Sequence, residues 1–174
     1  MSRQYLNISL AKVEAIARDF AATQKEVDTA ARRAVSKTSR WVGGLLVRMV
    51  ARETGIQQKA LKPRLRIYVS GNHMTARVFF GASAIPLSAL NPVQTASGVK
   101  AGKIERKHAF IAKNRKGGVQ VYQRVGRARQ PLAIQYVHID KEVDYAVLNE
   151  VLPLMEGRFF RIFEQELRWE TRKK

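Results

Sequence analysis

Cysteine is absent from this chain, which excludes disulfides and thiolate metal sites and fits folding in a reducing compartment. Carboxylates are scarce: 14 Asp and Glu stand against 32 Lys and Arg in 174 residues, a formal charge of +18. A metal-dependent phosphodiesterase gathers acids around its ions, and the basic middle of this chain has almost none. No apolar run approaches the roughly 18 to 20 residues that a bilayer span requires, so no membrane role is expected. The N-terminal stretch MSRQYLNISLAKVEAIARDF is amphipathic, without the apolar block of a secretory signal. Gly117-Gly118 lacks the following Lys-Ser/Thr of a phosphate loop, and no Gly-x-Ser-x-Gly occurs. There is no internal repeat and no low-complexity tract. These absences predict a soluble, intracellularly made protein and argue against an enzyme.

What is present begins with the charge. Self-repulsion at +18 opposes a compact state and is relieved by a polyanion, by acidic partner subunits or by salt. The length suits one domain, residues 1–174, with a real core. The stretch from His108 to Ile139 organises the rest. Ala109 to Ala112 is a short apolar run, and Asn114-Arg115-Lys116-Gly117-Gly118 reads as a hairpin connection in which glycine supplies positive φ. Val119, Val121 and Tyr122 form a second run. Gly126 opens the next turn and Pro131 closes it. In the third run Leu132, Ile134, Tyr136 and His138 face one way, and Ala133, Gln135, Val137 and Ile139 the other. Charge gathers in and beside the turns. From Lys100 to Arg129 the cations are Lys100, Lys103, Arg106, Lys107, Lys113, Arg115, Lys116, Arg124, Arg127 and Arg129, against the single acid Glu105.

Before this piece, residues 9–55 read as a helical arm. Ser9 is the candidate N-cap; Leu10, Val13, Ala17 and Phe20, then after a polar interval Val27, Ala31, Ala34, Trp41, Leu45 and Met49, fall at helical spacing. Trp41, Leu45 and Met49 are expected in a core or a subunit contact. Gly43-Gly44 should kink the helix or admit another segment, and Gly55 should end it. Gln57 to Leu61 adds a helical turn. Residues 64–80 read as a hairpin, with Leu65, Ile67 and Val69 opposite Arg64, Arg66 and Tyr68, a turn at Ser70-Gly71-Asn72, and Ala76, Val78 and Phe80 on the return. Residues 81–103 read as a long loop, and Gln94 to Lys107 as a segment ordered on assembly. After the basic three-stranded piece at 105–139, residues 140–170 read as C-terminal helices. Asp140 is the expected N-cap, Val143, Val147 and Val151 follow at spacing four, and Pro153 separates a second helix. Its apolar face would carry Leu154, Met155, Phe159, Ile162, Phe163 and Leu167, while the tail from Arg168 should fray. The expected fold is α+β: a long N-terminal helix, a small antiparallel sheet of about five strands and a C-terminal helix.

His73, His108 and His138 share no ligand spacing; His138 and Asp140 could supply a metal pair, or simply mark a strand end entering a helix. Helical carboxylates such as Glu150, Glu156, Glu164, Glu166 and Glu170 are expected to pair with Arg. Only Phe110 and Tyr122 lie near the cations, so a nucleic acid would be met through its phosphates, without sequence preference and with steep salt dependence.

Two blocks resemble the prophage minor tail protein Z family of lambda-like phages. The first is Ala51-Arg52-Glu53-Thr54-Gly55-Ile56 with Lys59, Leu61-Lys62, Arg64 and Arg66. The second is Phe110-Ile111, Gly118-Val119, Gln123-Arg124-Val125 and Pro131-Leu132. Val147 to Leu167 is similar in length and helical character. The chain departs from the family at Ser83 to Gly98, nearly uncharged here where the lambda-like pattern is rich in arginine. The resemblance implies a virion structural protein made in the host cytoplasm, a tail completion factor at the head-proximal end of the tail. Its implied partners are the tail terminator and head–tail connector, other copies in a homo-oligomeric ring, and double-stranded DNA. Neither catalysis nor a cofactor is implied. A free nucleic-acid-binding protein is the alternative, and a metal nuclease using His138 and Asp140 a third.

Overall fold

The computed structural model describes residues 9–70 and 75–172. It divides into two compact units, one within Met1–Leu46, Leu65–Phe79 and Val147–Lys174, the other within Val47–Arg64 and Phe80–Ala146.

In the first unit the expected arm is two helices. Ser9 caps α1 (Leu10–Asp19), its hydroxyl accepting from the Lys12 amide at 3.4 Å. The chain then breaks, with Ala21 at φ 46°, and α2 runs over Gln24–Thr54. The break is encoded in Thr23-Gln-Lys-Glu26, half of a capping box: the Glu26 carboxylate accepts from the Thr23 amide at 2.7 Å and from its hydroxyl at 2.8 Å. The polar interval in the stripe is this restart.

The β1–β2 hairpin (Leu65–Ser70, Thr75–Phe80) follows the expected strands. The Ser70-Gly71-Asn72 turn and His73 fall on or beside residues outside those described. Gly43-Gly44 does not break α2. A Cβ at Gly43 would lie 2.8 Å from the Leu65 side chain and 2.9 Å from that of Ile67, so glycine here admits the hairpin. Val69, expected to face inward with Leu65 and Ile67, is exposed.

α5 (Leu152–Thr171) starts beside Pro153, as the sequence predicts. Phe159, Phe160, Ile162, Phe163 and Leu167 pack with Ala30, Ala31 and Ala34 of α2, and Val13, Ile16 and Phe20 of α1 lean on this core. The Phe159 and Phe163 rings stack at 6.0 Å and Phe160 meets Phe159 edge-on at 5.4 Å. Two expectations fail. Leu154 is exposed, because the helix is in its first turn there and has not reached the core. The segment from Arg168 to Thr171 does not fray: Arg168 lies over the Phe20 ring and Glu170 pairs with Arg33.

The second unit holds the C-terminal end of α2, α3 (Gln58–Leu61) and the remaining strands. Gly55, at φ 70°, terminates α2 as expected. Arg64, expected on a polar strand face, instead ties down backbone: its guanidinium donates to the carbonyls of Gly81 at 3.1 Å and Ser83 at 2.6 Å.

The region expected to be a loop, 81–103, is ordered. It contains β3 (Ile85–Pro86), a 3-10 turn at Leu87–Leu90, β4 (Val93–Gln94) and β5 (Gly98–Ala101), and β5 pairs with β6 (Ile104–Lys107). Leu87 and Val99, both at 0 % exposure, anchor it. The Gln94 side chain stitches it to the next strand, donating to the Ala109 carbonyl at 3.3 Å and accepting from the Ile111 amide at 2.9 Å. Strands of two residues have no alternation to read, so their order was invisible in the pattern.

The three-stranded piece forms as read: β7 (Ala109–Lys113), β8 (Val119–Arg124) and β9 (Leu132–Ile134), all antiparallel. The third run is interrupted at Gln135, and β10 (Tyr136–Val137) pairs with β3 instead. Among the described residues the strands thus make four small sheets, not one of five strands. α4 (Asp140–Tyr145) follows, with Ile139 as N-cap and Asp140 as the first helical residue. A π-helical segment, Ala146–Val151, leads to α5. The expected α+β class, with a long N-terminal helix, antiparallel strands and a C-terminal helix, is borne out.

Candidate functional site

The ten basic residues lie in and beside three turns of the second unit, and strand register decides which can act together. Successive turns of a meander lie at opposite ends of the shared strand. The β7–β8 turn, with Lys113, Arg115 and Lys116, is therefore separated from the β8–β9 turn, with Arg124, Arg127 and Arg129, by the length of Val119–Arg124, about 17 Å. Lys107 belongs to the second group, because its carbonyl accepts from the Gln123 side chain at 3.0 Å. Arg106 precedes it in β6. Lys103 is elsewhere: at the β5–β6 turn its aliphatic stem covers Gly55, where an added Cβ would lie 2.8 Å from the Lys103 Cδ. Lys100 is in β5 opposite Glu105. The ten residues are thus a scaffold with charge at several corners, not one patch.

The β7–β8 tip is well tied. The Asn114 amide donates to the Gly118 carbonyl at 2.8 Å, and the Asn114 side-chain oxygen accepts from the amides of Lys116 and Gly118, each at 2.9 Å. Gly117 takes φ 81°, the positive value expected of this turn. The β8–β9 turn is closed by the Val125 amide donating to the Pro131 carbonyl at 3.2 Å.

None of the ten cations forms an ion pair with another described residue. Arg124 lies over the Phe110 ring at 5.9 Å and Arg106 donates to the Glu105 carbonyl at 3.3 Å. The neighbourhood offers few anions, so their charge is neutralised only by solvent ions or by another molecule.

The sequence missed what lies beside Arg124. Phe110 pairs with Tyr122, Tyr122 with Ile134 and Arg124 with Leu132, all on one face of the sheet. Alternation in the third run was read correctly, and its outward side is the one carrying Leu132, Ile134 and Tyr136. The packing residues are in the first unit except Met49. Phe159, Ile162, Phe163 and Leu45 are buried; Trp41 is half-buried, with the Arg158 guanidinium 5.5 Å from its ring centre.

His108 and His138 are exposed and lie in different segments. Among the described residues no group of three or more His, Asp or Glu side chains could hold a metal ion, and no helix is long and apolar enough to cross a membrane.

Neither the fold nor the unpaired cations define a class of protein; the family match does, and it is that of a structural protein of a phage tail, which places the chain in the virion with other tail proteins as neighbours. Residues 12–173 match the family described as prophage minor tail protein Z (GPZ), nearly the whole chain, and the chain belongs to that family. No curated protein and no solved structure was found to match it.

Proposed function

We propose that the chain is a tail completion subunit at the head-proximal end of the tail, one of a ring that makes the tail competent for head joining and positions the DNA end. The tail terminator and the head–tail connector are its neighbours. The observation that carries this reading is the set of ten cations without carboxylate partners in a protein of a phage tail family. The two groups of them at the ends of β8 suit either an extended polyanion lying along the strand or two acidic neighbours stacked above and below. No catalytic step is assigned.

Replacing Arg115, Lys116, Arg127 and Arg129 together with glutamine tests it. Infectious particles should fall sharply while the purified variant keeps its fold. Particles made at normal yield with DNA normally seated would show the cations to be incidental.

Free binding to nucleic acid is the second reading, favoured by the same unpaired charge. An isolated monomer of that kind shifts double-stranded DNA strongly at low salt, with affinity falling as a power of salt concentration; a ring component binds weakly alone.

A further inference from the structure

An antiparallel sheet that packs one side on a core leaves the other to water or to a partner. In β7–β8–β9 the inner side carries Val121 at 0 % exposure. The outer side brings together Phe110, Tyr122, Leu132 and Ile134, with Tyr136 following along the chain; Leu132 and Ile134 are each 38 % exposed and Tyr136 43 %. Arg124 sits on this face, and Arg127 and Arg129 stand in the turn that borders it. An apolar centre with a charged rim is the anatomy of a protein interface.

The rim restricts the occupant. Two copies pressed face to face on this surface would oppose arginines to arginines, which is unfavourable. The partner surface must be acidic. Within a chain of +18, α4 supplies one: Asp140, Glu142 and Asp144 outnumber the exposed Lys141, and Asp140 and Asp144 are four residues apart and so on one side of the helix. Both are exposed, and neither pairs with a cation among the described residues.

We infer that the outer face of β7–β8–β9 docks α4 of a second copy, head to tail. This rests on the ring reading above and supplies its subunit contact. The two patches do not overlap in the chain, so each copy uses one and offers the other. Such a heterologous contact closes into a ring when its rotation divides the circle.

Sedimentation velocity on the purified chain at physiological salt should show concentration-dependent association. Leu132→Asp with Ile134→Asp weakens it about tenfold or more, as expected for charge placed at an interface centre. The decisive test is a charge exchange. Arg124→Glu with Arg127→Glu, and separately Asp140→Lys with Asp144→Lys, should each stay folded by far-UV circular dichroism and lose association alone. Mixed in equal amounts they regain it, because every face then meets an α4 of opposite sign. A natural chain that remains monomeric at all concentrations, a charge variant that assembles unchanged, or a mixture that does not recover overturns the inference. Loss of double-stranded DNA binding in the arginine variant, with self-association intact, would also overturn it and give this face to nucleic acid. Presence of the natural chain in purified particles is measured separately. A virion chain without self-association sinks only the docking contact, whereas a chain missing from particles sinks the tail reading.

Discussion

The two units use the same side chains for opposite ends. In the first, cations are internal fixtures: Arg33 pairs with Glu170 and, at 3.7 Å, with Glu166; Lys37 pairs with Glu166. Lys12, Arg33, Arg158 and Arg168 lie over the rings of Phe160, Trp169, Trp41 and Phe20. In the second, Arg64 ties down backbone carbonyls, Arg52 pairs with the adjacent Glu53 and Arg124 lies over the Phe110 ring, but the turn cations find no carboxylate. The number of positive charges in a stretch therefore says little by itself. What matters is whether the fold has brought anions or aromatic faces to meet them. Where it has, a cation is part of the packing; where it has not, the charge is left for something outside the chain.

Substitutions can break or sharpen this contrast. The largest loss is expected from Phe163→Ala in the first unit, where the ring is fully buried against Phe159; denaturant unfolding should show about 3–5 kcal/mol. Gly55→Ala introduces a Cβ at φ 70° against the Lys103 stem. It should cost about 1–2 kcal/mol, and Lys103→Ala in the same chain should recover only the small part due to the Lys103 Cγ and Cδ, because the Cβ of residue 103, 2.9 Å away, and the positive φ both remain. Glu166→Gln removes the partner of Lys37 and the more distant of the two partners of Arg33 from a site only 12 % exposed, and about 1 kcal/mol is expected from the same measurement. The smallest effect on stability belongs to the four-fold neutralisation of Arg115, Lys116, Arg127 and Arg129, within about 0.5 kcal/mol of the natural chain. If that variant were as damaged as Phe163→Ala, the turn cations would be structural and the contrast false.

Much of the framework was legible in the sequence because it is local. Ser9 and Gly55 bound their helices, the Asn114–Gly118 turn closes where glycine allows it, and the Phe159–Leu167 stripe marks the buried side of α5. The Thr23-Glu26 box is equally local, but it sits inside a longer helical periodicity that masks it. What could not be read depends on partners distant in sequence. Residues 81–103 are held by Leu87, Val99 and the Gln94 bridge to β7, none of which leaves a periodic trace. Arg64 looked like any strand arginine until its carbonyl acceptors were in place. The charged turns are visible in the sequence, but chain order does not show that a meander sends neighbouring turns to opposite ends.

The bonds that Asn114 makes to its own turn bear on how the β7–β8 tip meets anything negative. A loose lysine- and arginine-bearing loop must surrender its conformational freedom at the moment of contact. Here the amides of Lys116 and Gly118 are already committed, so Arg115 and Lys116 project from a stiff platform. Less disorder remains to be lost on contact, and recognition can favour surfaces whose negative groups match the tip's spacing over those that merely carry more of them.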